Sequence, residues 1–388
     1  MASKVMYTIL KTGMGPHSGN VGDQLVLETA KDLITRETGI DSFLVYHRET
    51  DITSVLDKIN DTKAVIMPAF EIRGGIKPYY MFCDDITDIE VPIIPMGAGW
   101  CSYPGDHLDV YNHQYSEKAK YYLDHISNQV KVFTTRDLYT SEALRKNGIS
   151  NTELVGDCAW YDPDKLNEDM TRPETIEKLV FTTPHRSLYR NQAKHVLAML
   201  REEFPNADLF CSLHNTPSDQ DRALIQRADR LDYEIVRASL DTENIDFYEE
   251  CDLHVGYRLH GHIGFLRKRL PSVLINEDGR GAGLTHTFGM GGFNGFRRRL
   301  SPSNAERVRR VGNIKYTRGF QFLLNTEFTV KEWGNMLIAP ADETVPEAVR
   351  SFVRSQIDTG FDSYQGVPKV IDATYEENMK PFLQTLPT

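Results

Sequence analysis

The chain has 388 residues, of which 40% are hydrophobic and 26% charged, and its net charge is −11. This length is typical of two domains, with ample apolar sequence for a core. The acidic balance argues against a nucleic-acid partner, because nucleic-acid binders usually carry a basic stripe. We read two local basic runs, FRRRL at 296–300 and RVRRVG at 307–312, as solvated surface in preference to a contact for phosphate or an acidic glycan.

The cysteines are dispersed, and none belongs to a CxxC pair. They are Cys83, Cys101, Cys158, Cys211 and Cys251. An odd, scattered set favours reduced thiols and shows no zinc-site spacing. The opening MASKVMYTIL lacks the features of a signal peptide, and no stretch is long and apolar enough to cross a membrane. We therefore expect a soluble, cytoplasmic protein without an integral membrane segment.

Short apolar runs alternate with helix-like segments through the first half of the chain. Strands are predicted at residues 4–10, 42–47, 63–68, 91–97, 130–135 and 152–156. Helices are predicted over 22–39, ending at Gly39, and over 136–148, ending at Gly148. The apolar runs are bounded by Gly and Pro and do not alternate with polar residues, which is typical of parallel strands buried on both faces.

The same alternation resumes after a polar segment with two prolines at 162–178, which we interpret as a linker. Strands are predicted at 179–183, 208–213, 233–237, 252–257 and 271–276, with helices near 188–203, 217–230, 244–250 and from 261. Repeated strand–helix order predicts an α/β fold of two doubly wound, Rossmann-like domains facing across a cleft. The predicted domains are 1–165 and 166–320, and helix-like segments from about 316 predict a helical tail, 321–388, that packs back on both.

Ligands of open α/β sheets bind beyond the carboxyl ends of the strands, so residues that follow strands are the site candidates. In GYRLHGHIG, Arg258 and His260 alternate along what we predict to be an extended segment, so their side chains should point the same way. Gly261 keeps that segment open. An arginine fork suits a carboxylate or phosphate, and an imidazole suits proton transfer. For His262 we favour a structural role.

A Gly-rich turn, KTGMGPHSGNVGD, follows the first strand and matches neither the dinucleotide fingerprint nor the P-loop. It is either a tight turn with Asp23 capping the next helix, or a site where Asn20, Gly22 and Asp23 meet sugar hydroxyls. Further along, Asp137 is predicted as a helix cap. Arg136, just past a strand, either reaches a ligand or pairs with a local carboxylate.

Two more acidic positions follow predicted strands. Asp157 comes after the strand at 152–156, and we favour a turn-forming role for it. The loop NEDGRGAGLTHTFG, with Asp278, Arg280 and its glycines, either wraps an anionic group or has Arg280 paired with Asp278. In outline, the second half offers cationic groups for a small anion and the first half offers polar groups for a hydroxyl-rich partner. This pattern predicts group transfer between two bound molecules.

Five motifs in order, between about residues 19 and 285, resemble the polysaccharide pyruvyltransferase family. They are GNVGDQL, VPIIPMGAG, TTRDLYTSEALRKNG, TELVGDCAW and CDLHVGYRLHGHIGFLRKRLPSVLIN. The resemblance implies a fold similar to the GT-B glycosyltransferases. It also implies transfer of a pyruvyl group from phosphoenolpyruvate onto two hydroxyls of a sugar in a polysaccharide or glycan precursor, which forms a ketal. The segment MPAFEIRGGIKPYY departs from the family by keeping only Gly74 and Gly75 of a Gly-rich run, and this departure bears on the acceptor.

The resemblance also implies roles for particular residues. The family's Arg-x-His pair falls on Arg258 and His260, its arginine at a helix start on Arg136, and its Asn-x-Gly-Asp on Asn20, Gly22 and Asp23. His260 is then the expected general acid at the donor methylene, with Arg258 and Arg136 neutralising the carboxylate and phosphate of the donor.

We expect two partners, phosphoenolpyruvate as donor substrate and a sugar or glycan acceptor. We expect no metal site and no separate cofactor, and a homo-oligomer is compatible with the sequence. Two alternatives remain open from the sequence. One is a GT-B-type glycosyltransferase that uses a nucleotide sugar, because a basic cleft also suits a diphosphate. The other is a non-catalytic homologue that binds a glycan or an anion, because a fold does not fix a function.

Overall fold

The computed structural model describes residues 7–11, 19–48, 51–74, 85–217, 221–239, 241–313 and 330–387. Several sequence predictions lie outside the described residues. They concern the start of the first strand, the glycines of the turn at 12–18, Gly75, Cys83 and the beginning of the tail at 316–329.

The first half of the chain contains eight described strands. They are β1 (Tyr7–Lys11), β2 (Phe43–His47), β3 (Ala64–Pro68), β4 (Glu71–Ile72), β5 (Ile93–Met96), β6 (Gly99–Trp100), β7 (Phe133–Thr135) and β8 (Thr152–Leu154). A parallel sheet has the order β2-β1-β3-β5, while β4 pairs with β6 and β7 pairs with β8. A bridge between Ala98 and Thr135 continues the sheet from the end of β5 towards β7. Every residue of β3 is buried, as expected for a central strand covered on both faces.

The second half forms one parallel sheet of six strands. They are β9 (Lys178–Thr182), β10 (Asp208–Leu213), β11 (Tyr233–Arg237), β12 (Leu253–Gly256), β13 (Ser272–Asn276) and β14 (Gly292–Asn294). Their order is β11-β10-β9-β12-β13-β14, which is the doubly wound 3-2-1-4-5-6 arrangement. The sequence predicted five of these strands and missed β14, which is short and carries no run of β-branched residues. The predicted class, two doubly wound α/β units that face each other across a cleft, is confirmed.

Helices connect the strands and cover the sheets. Those described are α1 (Val21–Thr38), α2 (Leu56–Asn60), α3 (His107–Asn112), α4 (Glu117–Gln129), α5 (Leu138–Lys146), α6 (Arg190–Glu203), α7 (Arg222–Asp229), α8 (Leu259–Arg267), α9 (Gly279–Phe288), α10 (Pro302–Asn313), α11 (Val330–Ile338), α12 (Val345–Asp358), α13 (Gly366–Thr374) and α14 (Lys380–Leu383). α1 ends at Gly39 as predicted, because that glycine adopts the left-handed conformation with φ of 73°. The predicted helix at 244–250 is a 3₁₀ segment, Thr242–Glu250.

The C-terminal helices contact both halves. α12 packs on α6, and α14 packs on α1. The Tyr7 hydroxyl of β1 donates to the Pro387 carbonyl oxygen at 2.8 Å. Residues 161–177 contain neither helix nor strand, in keeping with a connecting segment. The domain limits 1–165, 166–320 and 321–388 stay a prediction.

The two halves meet where the carboxyl ends of both sheets face each other. α5 of the first half packs on α9 of the second, and the Leu138 N–H donates to the Thr287 hydroxyl at 3.0 Å. A Cβ on Gly283 would lie 2.5 Å from the Asp137 carboxylate, so the two helices approach closely at that glycine. Across the described ranges, no helix combines the length and the apolar character needed to cross a membrane.

Candidate active site

A cavity of about 120 Å³ lies between the two halves at the carboxyl ends of the strands. Its charged and polar lining comes from both halves and includes Asn20, Asp23, Arg48, Glu71, Arg136, His185, His214, Arg258, His260, Glu277, Asp278 and Arg280. Seven of the nine site residues predicted from the sequence therefore line one cavity, although they are spread over 260 positions of the chain. The two others, Gly22 and Gly261, lie directly behind it.

The backbone at Arg258 and His260 differs from the prediction. Arg258 is the extended residue that precedes α8, and the helix begins at Leu259, so His260 already belongs to its first turn. The predicted alternation along an extended segment is therefore wrong. Both side chains nevertheless reach the cavity, because β12 ends and α8 begins at its wall.

Arg258 presents a guanidinium without a carboxylate partner. Its Nε donates to the Thr183 carbonyl oxygen at 2.9 Å, and its Nη1 lies 3.5 Å from the His185 Nδ1. It forms no salt bridge with any carboxylate that the structure describes. Desolvation lowers the pKa of Arg258 from its ordinary value, although Glu277 and Asp221 act in the opposite direction. A ligand anion here would supply a counter-charge that the protein itself does not place in contact.

His260 lies between two elements of the first half. Its Nε2 is 3.7 Å from the Asp157 carboxylate and has no hydrogen-bond partner within the described chain. Its Nδ1 lies against Gly22 so closely that a Cβ there would approach to 2.4 Å. Gly22 is thus required for the fit of the imidazole, and no ligand contact is needed to explain it. His260, though carried by α8, is oriented by residues of the opposite half.

Asp157 has a larger role than the turn former favoured from the sequence. It is fully buried and accepts a hydrogen bond from the Ala159 N–H at 3.0 Å, which caps a 3₁₀ turn. Its carboxylate also faces His260 and the Arg136 guanidinium. Burial raises the pKa of Asp157, but the nearby His260 and the charge of Arg136 outweigh it, so the pKa lies below the ordinary value.

Arg136 pairs locally, which was one of the two roles left open for it. Its guanidinium is 3.3 Å from Asp157 and 3.5 Å from Asp137, and it lies across Gly99, where a Cβ would come within 2.3 Å. Asp137 also accepts from the Thr140 N–H, so the predicted helix cap is confirmed. The Arg136 Nη2 is buried without a hydrogen-bond partner among the described residues. One donor of Arg136 thus remains for a ligand.

Asp278 and Arg280 pair with each other. The Arg280 Nη2 lies 2.8 Å from Asp278, and Arg186 reaches the same carboxylate at 3.0 Å. Asp278 also caps α9 by accepting from the Arg280 N–H at 3.2 Å. Burial raises the pKa of Asp278, but the two guanidinium groups outweigh it and hold the pKa far below the ordinary value. The pair forms a neutralised wall of the cavity, and the free anion-binding loop suggested as one possibility is not observed.

The start of α1 corrects a second expectation. Asn20, not Asp23, caps the helix, because the Asn20 side chain accepts from the Gly22 N–H at 3.1 Å. Asp23 instead lines the cavity, and burial raises the pKa of its carboxyl. Behind the cavity, a Cβ on Gly261 would lie 3.0 Å from the Thr182 side chain. Gly261 therefore permits close packing of α8 and does not line the cavity.

Arg48 and Glu71 were missed by the sequence reasoning. Arg48 follows β2 and Glu71 begins β4, and their side chains lie 3.6 Å apart at the cavity wall. Burial raises the pKa of Glu71, but Arg280, Arg73 and Arg48 together lower it to about 2. The rule that selected the other candidates, a polar residue after a strand, applies to Arg48 as well and is the signal that would have found it.

His185, His214 and Glu277 were also missed, and they follow β9, β10 and β13. Glu277 accepts from the backbone N–H groups of His185 and Arg186 at 2.9 and 2.8 Å. His214 is buried with its Nε2 2.8 Å from the Tyr248 hydroxyl, and burial, with Arg258 and His260, holds its pKa well below the ordinary value. Because His214 stays neutral, it can help to position an anionic ligand without competing with Arg258 for the ligand's negative charge.

His262 has the structural role favoured for it. It is buried away from the cavity, its Nδ1 lies 2.6 Å from the Ser272 hydroxyl, and burial lowers its pKa to about 3.

Fold and cavity together define a doubly wound α/β protein with a densely charged ligand site between its two sheets. The chain belongs to the polysaccharide pyruvyl transferase family, whose model matches residues 20–279 and so includes every predicted site residue except Arg280. It is therefore a member of a family of transferases that act in polysaccharide pyruvylation. No curated protein sequence matches the chain.

Solved structures resemble the chain at low identity. UDP-GlcNAc 2-epimerase from Neisseria meningitidis bound to UDP-GlcNAc has a TM-score of 0.46 and 11% identity, over 98% of this chain and 100% of the other. The S. aureus MnaA–UDP structure has a TM-score of 0.43 and 10% identity, over 91% and 97%. Anabaena HepE in complex with UDP and glucose has a TM-score of 0.43 and 9% identity, over 98% and 97%. At these values the similarities add nothing about activity.

Proposed function

We propose that this protein transfers the pyruvyl group of phosphoenolpyruvate to two hydroxyls of a sugar in a polysaccharide or glycan precursor, with His260 as general acid. The observation that carries the proposal is the Arg258 guanidinium, which lines the cavity beside His260 and has no carboxylate partner among the described residues. A cation that the protein leaves unpaired in a partly buried site favours an anionic ligand.

The charges of the cavity support a small anion over a neutral donor. Arg48, Arg136 and Arg280 are each already paired with carboxylates of the protein. Arg258 can therefore receive the carboxylate or the phosphate of the donor as a fork, and the buried Nη2 of Arg136 can donate to the other group. In this scheme Arg136 keeps a second role, because its charge helps to hold Asp157 ionised beside His260.

The chemistry requires a proton at the methylene carbon of phosphoenolpyruvate. His260 donates it, and cationic character develops at the adjacent carbon, C2. A sugar hydroxyl oxygen then bonds to C2. The bond between C2 and the phosphate oxygen breaks, phosphate leaves, and a second hydroxyl closes the ketal. A general acid acts well only when it is held within reach of its target, and Asp157 and Gly22 hold the His260 ring from the opposite half.

Calorimetric titration tests the donor site. Phosphoenolpyruvate and a UDP-sugar are titrated separately into the wild type, into Arg258→Ala and into the control Arg172→Ala, whose guanidinium is on the surface and paired with Asp362. We expect phosphoenolpyruvate to bind the wild type and the control equally. Binding to Arg258→Ala should be weaker by roughly 10- to 150-fold, because a hydrogen bond to a charged group contributes about 1.5–3 kcal/mol.

Other results of the titration, combined with an assay of turnover, would overturn the proposal. Binding of the UDP-sugar without binding of phosphoenolpyruvate would favour a glycosyltransferase. Phosphoenolpyruvate binding without turnover on any glycan would favour an anion-binding protein that lacks the chemistry.

A further inference from the structure

Asp23 is the one carboxylate lining the cavity, within the described ranges, that makes no hydrogen bond or ion pair. Glu71 is paired with Arg73 at 2.7 Å. Glu277 accepts two backbone N–H groups, and Asp278 is held by two guanidinium groups. The oxygens of Asp23 are therefore free to accept a proton or a hydroxyl hydrogen bond, whereas those of the other three are committed to the protein.

The position of Asp23 places it opposite the donor groups. It lies in the first turn of α1, next to Gly22, which contacts the His260 ring. The charged and titratable groups that face it are His260, Arg48, Glu71, Arg280 and Arg258, and burial raises the pKa of its carboxyl. Asp23 and His260 thus border one space from opposite halves, as a base and an acid must when they act on two molecules bound between them.

We propose that Asp23 is the general base that removes the proton from the sugar hydroxyl attacking C2. This assignment rests on the proposed function. It adds a catalytic role to a residue for which the sequence suggested either a helix cap or a hydrogen bond to sugar hydroxyls.

The assignment closes the balance of protons. His260 gives one proton to C3 of phosphoenolpyruvate, and the first hydroxyl oxygen bonds to C2 as its proton passes to Asp23. The C2–O bond to phosphate then breaks, and Asp23 returns its proton to the departing phosphate, which leaves as hydrogen phosphate. The second hydroxyl oxygen bonds to C2, and its proton passes to the His260 imidazole. The products are the ketal and hydrogen phosphate, and both residues regain their starting states.

Acceptor-dependent phosphate release by Asp23→Asn tests this role. The amide keeps the shape of the side chain but cannot accept a proton, so we expect turnover to fall by about 10²- to 10⁴-fold. Phosphoenolpyruvate, titrated calorimetrically, should bind at least as tightly as to the wild type, because a negative charge facing the donor has been removed. The matched control is Asp32→Asn on the exposed face of the same helix, which should keep wild-type turnover.

Chemical rescue separates a base from a merely structural carboxylate. Asp23→Ala should recover part of its turnover when formate is added, and the control variant should show no response to formate. Turnover by Asp23→Asn within a few-fold of wild type would overturn the assignment, as would a folded Asp23→Ala that binds phosphoenolpyruvate but is not rescued. If the wild type itself releases no phosphate from phosphoenolpyruvate with any acceptor, the proposed function fails, and the role of Asp23 fails with it.

Discussion

Substitution of Gly22 by alanine gives the sharpest test of the contact between the two halves at His260. A Cβ at this position would lie 2.4 Å from the His260 Nδ1, 2.7 Å from its Cβ and 2.8 Å from its Cγ. Ordinary van der Waals contact begins near 3.4 Å, so the His260 side chain, including its Cβ, must move by up to about 1 Å. A misplacement of this size costs about 10²-fold in rate, or about 2.7 kcal/mol of transition-state stabilisation.

The same substitution should lower activity while the protein still folds. Gly22 is the second residue of α1, so the helix-interior preference for alanine over glycine, about 0.5–1 kcal/mol, is an upper limit on the gain there. The added contact costs about 1–3 kcal/mol, so the two effects partly offset each other. We expect a folded variant whose kcat falls about 100-fold. Its affinity for phosphoenolpyruvate should be kept, because the three atoms nearest the new methyl group all belong to His260 and none belongs to Arg258.

Steady-state kinetics and thermal denaturation of Gly22→Ala provide the measurement. The matched control is Gly264→Ala on α8, the helix that carries His260, because the nearest atom to a Cβ there is the Tyr248 Cδ2 at an ordinary 3.8 Å. The control should keep wild-type kcat. A Gly22→Ala enzyme with kcat close to wild type would refute the reasoning that places His260 against Gly22 during catalysis.

Three further substitutions test neighbouring parts of the account. Arg258→Lys should lower kcat/KM by roughly 10- to 150-fold in initial-rate assays, because a lysine cannot both donate to Thr183 and present a fork to the anion; unchanged kinetics would exclude the fork. His260→Ala should abolish turnover while keeping the thermal transition, and near-wild-type turnover would remove His260 as the acid. His262 has its pKa lowered from 6.5 to about 3 in the folded protein, so it stabilises the fold fully above about pH 6.5 and progressively less as the pH falls towards 3. As the pH falls from 6.5 to 5, the free energy of unfolding of the wild type should therefore decrease by about 2 kcal/mol more than that of His262→Gln. Denaturant titrations that give parallel pH curves for the two proteins would contradict this.

The sequence was sufficient to predict the sheets because their signal is local. Each central strand is an apolar run bounded by Gly or Pro, and the rule that ligands bind after the strands selected Arg258 and His260 without any knowledge of strand order. Strand β14 was missed because three residues containing Gly292 and Asn294 carry no such signal, and the two-residue strands β4 and β6 were missed because they are too short to show one. The same rule would also have selected His185 and His214.

The pairing of charged groups could not be predicted in the same way. Arg136 and Asp157 are 21 positions apart and meet because β7 and β8 are parallel neighbours, which no local pattern states. His260 meets Gly22 and Asp157 only because the two halves close on each other. The tertiary structure therefore determines that, within the described residues, Arg258 has no carboxylate partner and the Asp23 carboxylate makes no ion pair. The proposed function depends on the first of these, and the proposed role of Asp23 on the second.

The most direct test of the central claim is release of phosphate from phosphoenolpyruvate, measured with and without a panel of galactosides, glucosides and N-acetylhexosamines, with mass analysis of the acceptor. We predict release that depends on one class of acceptor, and a product heavier than that acceptor by one pyruvyl ketal. Release without any sugar product, a product that carries phosphate in place of a pyruvyl ketal, or turnover of nucleotide sugars instead would contradict the account.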